Sequence, residues 1–103
     1  MAFQRGRLAP PKPGHKSFDS KDPGHWYRYG LECLNEHKWK ESAEAFEEAA
    51  RADSSDGASL SMLGGVYLLL EERDKAEEVL ERLRKVSPGE AQQLEDRIRR
   101  SLA

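Results

Sequence analysis

A shift of 34 residues lays one part of this chain on another without a gap, placing Asp22 on Asp56, Trp26 on Leu60, Tyr29 on Leu63, Gly30 on Gly64 and Leu34 on Leu68. The same shift carries Ser42 onto Ala76, Glu44 onto Glu78, Phe46 onto Leu80 and Glu47 onto Glu81. Self-similarity at a period of about 20 to 50 residues marks units that cannot bury their apolar faces alone and do so by stacking on copies of themselves. The chain is therefore expected to fold as a stack.

The unit is read from its apolar spacing. Asp22 is a good N-cap and Pro23 suits a first helical turn, where its missing N–H is no loss, so a helix is expected from there to about Glu36. From Lys38 to about Ala52, residues Trp39, Ser42, Ala43, Phe46, Ala49 and Ala50 recur at spacings of three and four between charged residues, an amphipathic helix. The turn-forming run Asp53 to Gly57 follows, with Asp56 placed to cap the next helix, Ala58 to about Glu71. A fourth helix runs from Asp74 or Lys75 to about Val86, with Ala76, Val79, Leu80 and Leu83 inward. Ser87-Pro88-Gly89-Glu90 has the spacing of a capping box ahead of a last helix, whose apolar line of Leu94, Ile98 and Leu102 is thin.

This period and pattern resemble the tetratricopeptide repeat, a helix-turn-helix unit of about 34 residues with a W-x2-L-G-x2-Y...A-x3-F...P signature. Trp26, Gly30, Phe46 and Ala49 match in the first unit, where Ser42 stands in for the small residue. Leu63, Gly64, Tyr67, Ala76 and Pro88 match in the second, with Leu60 and Leu80 in place of aromatics. Tyr29, Cys33, Ser54 and Leu83 depart from the pattern without bringing a charge into the core. The resemblance implies an all-α fold of antiparallel helix pairs forming a superhelix, with repeats at about residues 23–56 and 57–90 and a capping helix over about 90–102.

The resemblance also implies a concave groove, lined mainly by the first helix of each pair, that holds a segment of a partner. On this chain the groove set is Tyr27, Leu31, Leu34 and Asn35, then Ala58, Ser61, Gly65, Leu68 and Leu69. The set is apolar and small, which suits an amphipathic helix or an extended apolar segment. Members of the family that clamp the carboxylate end of a chaperone tail present lysines and asparagines along this surface, and here only Asn35 and Arg28 would be available, which disfavours such a clamp. An adaptor or small chaperone is the expected role, with self-association through the same surface as the alternative, because stacks of this kind generally need about three units. The adjacent Gly64 and Gly65 interrupt an otherwise apolar helix. Gly64 aligns with Gly30, where the resemblance implies a close crossing of the paired helix opposite Ser42 or Ala76, whereas Gly65 has a side toward the groove.

Composition excludes most rivals. At 103 residues and 35% charged, the chain has apolar material for one small core and none for a deep substrate cleft. One cysteine, Cys33, and three scattered histidines, His15, His25 and His37, offer no spacing for a metal site, so no metal, cofactor or catalytic residue is expected. Cys33 takes an inward helical position and is expected to be a buried, inert thiol. Glu44, Glu47, Glu48, Glu77, Glu78 and Glu81 lie at helical spacings that suit a solvated face, and Pro13 to Ser17 lacks the Gly-Lys-Ser/Thr order of a phosphate loop.

Residues 1–21 carry Arg5, Arg7, Lys12, Lys16 and Lys21 among prolines and glycines, and are expected to be a flexible basic tail ahead of the domain at 22–103. Phe3, Leu8 and Phe18 are its candidates for docking on the body or on a partner. Arg7 to Pro13 fits a basic residue followed by P-x-x-P, the polyproline form that aromatic grooves read. The acidic body argues against nucleic acid as a partner. No stretch approaches the about 20 apolar residues of a membrane span, and no secretory apolar run is present, so a cytoplasmic location is expected.

Overall fold

The computed structural model describes residues 11–102, which form five helices: α1 (Pro23–Asn35), α2 (Trp39–Ala52), α3 (Gly57–Leu69), α4 (Arg73–Val86) and α5 (Pro88–Leu102). The fold is all-α. α1 packs on α2, α3 on α4, α2 on α3, and α5 lies against both α4 and α3. These are two antiparallel pairs stacked side by side with a fifth helix over the open side of the second.

The 34-residue register is visible in how the helices begin and end. Asp22 accepts a hydrogen bond from the Gly24 N–H at 2.8 Å, and Asp56 accepts from the Ser59 N–H at 3.1 Å and from its hydroxyl at 2.6 Å, so both pairs start on an aspartate cap. Both turns inside a pair are also alike. His37 and Glu71 have φ of 62° and 61°. Behind each, the next N–H reaches back into the helix, from Lys38 to the Cys33 carbonyl at 2.8 Å and from Glu72 to the Tyr67 carbonyl at 2.8 Å. This left-handed closure satisfies the last helical carbonyls, and glycine usually occupies it.

Here neither residue is glycine, and each pays for its Cβ. Glu71→Gly is expected to raise stability by about 0.5–1 kcal/mol, the relief of the left-handed penalty less the extra freedom of a glycine in the unfolded chain. A shift of the urea midpoint at unchanged slope measures it. His37→Gly should give less, because the His37 ring lies 5.0 Å from that of Trp39 and that contact goes with the side chain.

The core runs between the layers. α2 presents Ser42, Ala43, Ala45, Ala49 and Ala50 with one large residue, Phe46, and small side chains let the neighbouring helices approach closely. α3 is apolar nearly all round and is enclosed on most sides, as a helix of that composition must be. It buries Leu60, Leu63, Val66 and Tyr67 among α2, α4 and α5. Tyr67 ties three helices together, its hydroxyl donating to Glu47 of α2 at 3.0 Å while Arg82 of α4 donates to the other Glu47 oxygen at 3.2 Å. α4 and α5 contribute Ala76, Val79, Leu80 and Leu83, then Ala91, Leu94 and Ile98.

The two aligned glycines meet different neighbours. A Cβ on Gly30 would come within 2.7–3.0 Å of three ring atoms of Phe46, and the Gly30 carbonyl accepts the Ser42 hydroxyl at 2.9 Å. The paired helix crosses there, as expected. Gly64 departs from expectation. A Cβ there would lie 2.5 Å from Leu94 of α5, so the space is taken by the covering helix and not by Ala76 of the paired one. At Gly30 the space is filled by Phe46 of the paired helix; the aligned residue of α4 is the shorter Leu80, and at Gly64 the space is filled by Leu94.

The basic leader is anchored over part of its length. Residues 11–22 form turns against α1, with the Phe18 ring edge-on to Trp26 at 4.7 Å and within 6.5 Å of Tyr29. The Asp19 N–H donates to His25 Nδ1 at 2.8 Å, and the Trp26 indole donates to the Ser20 carbonyl at 2.8 Å. Phe18, one of the tail residues expected to be able to dock on the body, lies against α1. Where α2 lies against α3, which carries Leu60 and Leu63, it is Phe18 that lies against their counterparts Trp26 and Tyr29 of α1 among the described residues. Phe3, Leu8 and all but the last three residues of the Arg7 to Pro13 string lie outside the described residues.

Candidate partner-binding groove

α1 makes extensive contact with no helix but α2, and α3 lies on α2 beside it, so a furrow runs between the first helices of the two pairs. At its floor is a cavity of about 230 Å³. Leu34 reaches it from the last turn of α1, and Met62, Gly65, Val66, Leu68 and Leu69 from α3. Spacings of three and four put Met62, Gly65, Val66 and Leu69 on one face of that helix. Arg97 of α5 closes the far side, and a Cβ on Gly65 would lie 2.7 Å from its guanidinium.

Four of the nine residues expected to face a groove, Leu34, Gly65, Leu68 and Leu69, are thus brought to one cavity. The other five are not. Tyr27 and Leu31 are half-buried and packed against the core, the Tyr27 ring centroid 5.5 Å from that of Phe46. Asn35 and Ala58 are exposed, at the end of α1 and the start of α3, and Ser61 is half-buried. Leu69 is 55% exposed beside the cavity, far more than a large apolar side chain needs to be in a helix this well enclosed. Met62, Val66 and Arg97 were not anticipated. The first two share the helical face of Gly65 and Leu69 and are legible from that spacing; Arg97 is not, since its place depends on how α5 crosses α3.

A second recess of about 430 Å³ lies on the other side, between α2 and the facing ends of α3 and α4. It is lined chiefly by charges already matched to one another: Arg51 with Glu48, Lys75 with Glu72 at 3.2 Å, and Glu47 with Arg82 at 3.2 Å. Such a surface is solvated and self-satisfied. Tyr67 at its edge has its hydroxyl pKa raised, by burial first and then by the Glu47 carboxylate beside it. Cys33 is 2% exposed, and burial pushes its thiol up, which keeps it protonated and unreactive. Hydrogen bonding with Cys33, then burial, pushes Tyr29 up to about 12. Among the described residues no helix is long and apolar enough to cross a membrane.

A family model for the tetratricopeptide repeat matches residues 34–98, more than half of the chain. No curated protein and no solved structure matches it significantly. The matched stretch begins in the last turn of α1, takes in α2, α3 and α4 whole, and ends near the close of α5. It therefore contains the inner half of the first pair, the entire second pair and the helix that covers it, and the chain belongs to the tetratricopeptide repeat family.

Proposed function

We propose that this chain is an adaptor or small chaperone that holds an apolar helical or extended segment of a partner protein in the furrow between α1 and α3. Repeats of this family are interaction modules and not typically catalysts, which gives the class of function. The observation that carries the finer reading is the apolar cavity itself, with Leu69 exposed at its rim. An apolar recess open to water beside an exposed leucine is favourable to cover, at about 25 cal/mol for each Å² of apolar surface removed from water. Matched charges line the other recess, so it offers no comparable gain.

Panning a displayed library of amphipathic helical peptides against the purified chain tests this reading. Leu68→Glu and Leu34→Glu variants, shown by circular dichroism to be folded, should lose at least about tenfold in affinity for the recovered peptides, since each replaces an apolar wall of the cavity by a charge where the partner's apolar side chain would sit. Undiminished binding by both folded variants would remove the groove. Self-association through the same surface is the second reading, favoured by Leu69 standing beside a cavity of leucine size on the same face. Light scattering at high protein concentration separates the two: a strict monomer leaves only the external partner.

A further inference from the structure

The cavity contains one charge, and its neighbours do nothing to balance it. Arg97 lies over Gly65 with its guanidinium directed at the place a side chain would occupy, and the remaining lining is Leu34, Met62, Val66, Leu68 and Leu69. Among the described residues no carboxylate lies within ion-pair distance of it and none of its nitrogens donates to a protein acceptor. Arg99, two residues on, is held by Glu95 at 3.1 Å and Asp96 at 3.8 Å, and Arg84 is also drawn to Glu95 at 3.5 Å. The local acids of α5 are thus engaged on the side away from the cavity. A guanidinium is more weakly hydrated than an ammonium and offers a planar fork of donors that matches a carboxylate on two bonds. Set at the rim of an apolar recess, it makes that recess selective by charge.

Resting on the groove reading above, we infer that the occupant is an amphipathic helix bearing a large apolar anchor and, one turn from it, an internal aspartate or glutamate. The anchor enters the cavity between Leu34 and Leu68, and the acid receives the Arg97 guanidinium across Gly65. The glycine leaves the fork room to lie flat against α3. A helix delivers both groups from positions three or four apart, because those positions share a face about one cavity-width long. The side-chain acid and a free terminal carboxylate share this chemistry, and the inference commits to the side chain: a chain end presents its acid beyond the last anchor, not a turn behind it.

The test pans one helical peptide library, prepared once with amidated and once with free C-termini, against wild type, Arg97→Gln and Arg97→Glu. Arg97 is exposed, so both variants should keep the wild-type melting temperature. Wild type should enrich Asp or Glu three or four residues from a Leu, Met or Phe, and the Arg97→Glu selection should replace that acid by Lys or Arg. For one recovered peptide, Arg97→Gln should weaken binding about tenfold, while the peptide with its acid changed to the amide should bind wild type and Arg97→Gln equally. Peptides recovered by all three proteins with no charge preference, yet lost on Leu68→Glu, would overturn this inference and leave the groove standing. Binding that requires a free C-terminal carboxylate would overturn it too, and recovery of no peptide at all would overturn both.

Discussion

Replacing Phe46 by alanine is expected to cost the domain about 3–5 kcal/mol, enough to unfold a chain of this size or leave it marginal at 25 °C. Phe46 is fully buried, is the one large side chain on a helix face otherwise built of Ser42 and alanines, and its ring lies against the backbone of α1 at Gly30. The alanines and Ser42 beside it on α2 cannot rotate into the space it leaves, and only Tyr27 of α1 has a large side chain placed to lean into part of it among its aromatic contacts, so a cavity remains. The reciprocal change is as informative. Gly30→Ala puts a methyl within 2.7–3.0 Å of a flat ring that cannot give way, and overpacking of this kind costs about 1–3 kcal/mol. In a Phe46→Leu background the same substitution should be close to neutral or stabilising, because the ring is gone and the helix gains from alanine. Urea unfolding of the four proteins measures the coupling.

Leu94→Ala is expected to cost about 3–5 kcal/mol and to loosen α5. Leu94 is 1% exposed and stands on Gly64, which has no side chain to lend to the void. Among the described residues the buried apolar side chains of α5 are otherwise Ala91 and Ile98, so the helix loses one of two large anchors. Here too the aligned glycine supplies the control. Gly64→Ala should be unfavourable in the wild type, where its Cβ would lie 2.5 Å from Leu94, and favourable by about 1 kcal/mol once Leu94 is alanine, through both cavity filling and helix propensity. Protease digestion from the C-terminal side should report the loosening before global unfolding does.

The register of 34 residues and the alternation of apolar and charged positions were enough to read the helices to within a residue or two at nearly every end. They were enough because each boundary has a local cause: an aspartate cap at Asp22 and Asp56, a proline at Pro23 and Pro88, a turn at Asp53 to Gly57. The left-handed turns at His37 and Glu71 escaped that reading because no glycine marks them. Their shared position, 34 residues apart, is the trace they leave.

The cavity was legible in part. The resemblance named Leu34, Gly65, Leu68 and Leu69 together, and these four line one cavity; helical spacing, which sorts residues onto faces, reaches Met62 and Val66 from Gly65 and Leu69. It could not separate them from Tyr27 and Leu31, which sit on the furrow side yet turn into the core, because that choice depends on where Phe46 is.

Local chemistry therefore decided where helices start, stop and carry their apolar faces, since those properties depend on neighbours within a turn or two along the chain. Packing between distant segments decided the rest. It alone set Leu94 into Gly64 and brought Arg97 to the rim of the cavity, because each contact joins side chains whose separation in sequence carries no period. Gly64 and Gly65 are adjacent in the chain and alike in composition; only the crossing of α5 makes one a seat for leucine and the other the floor beneath an arginine.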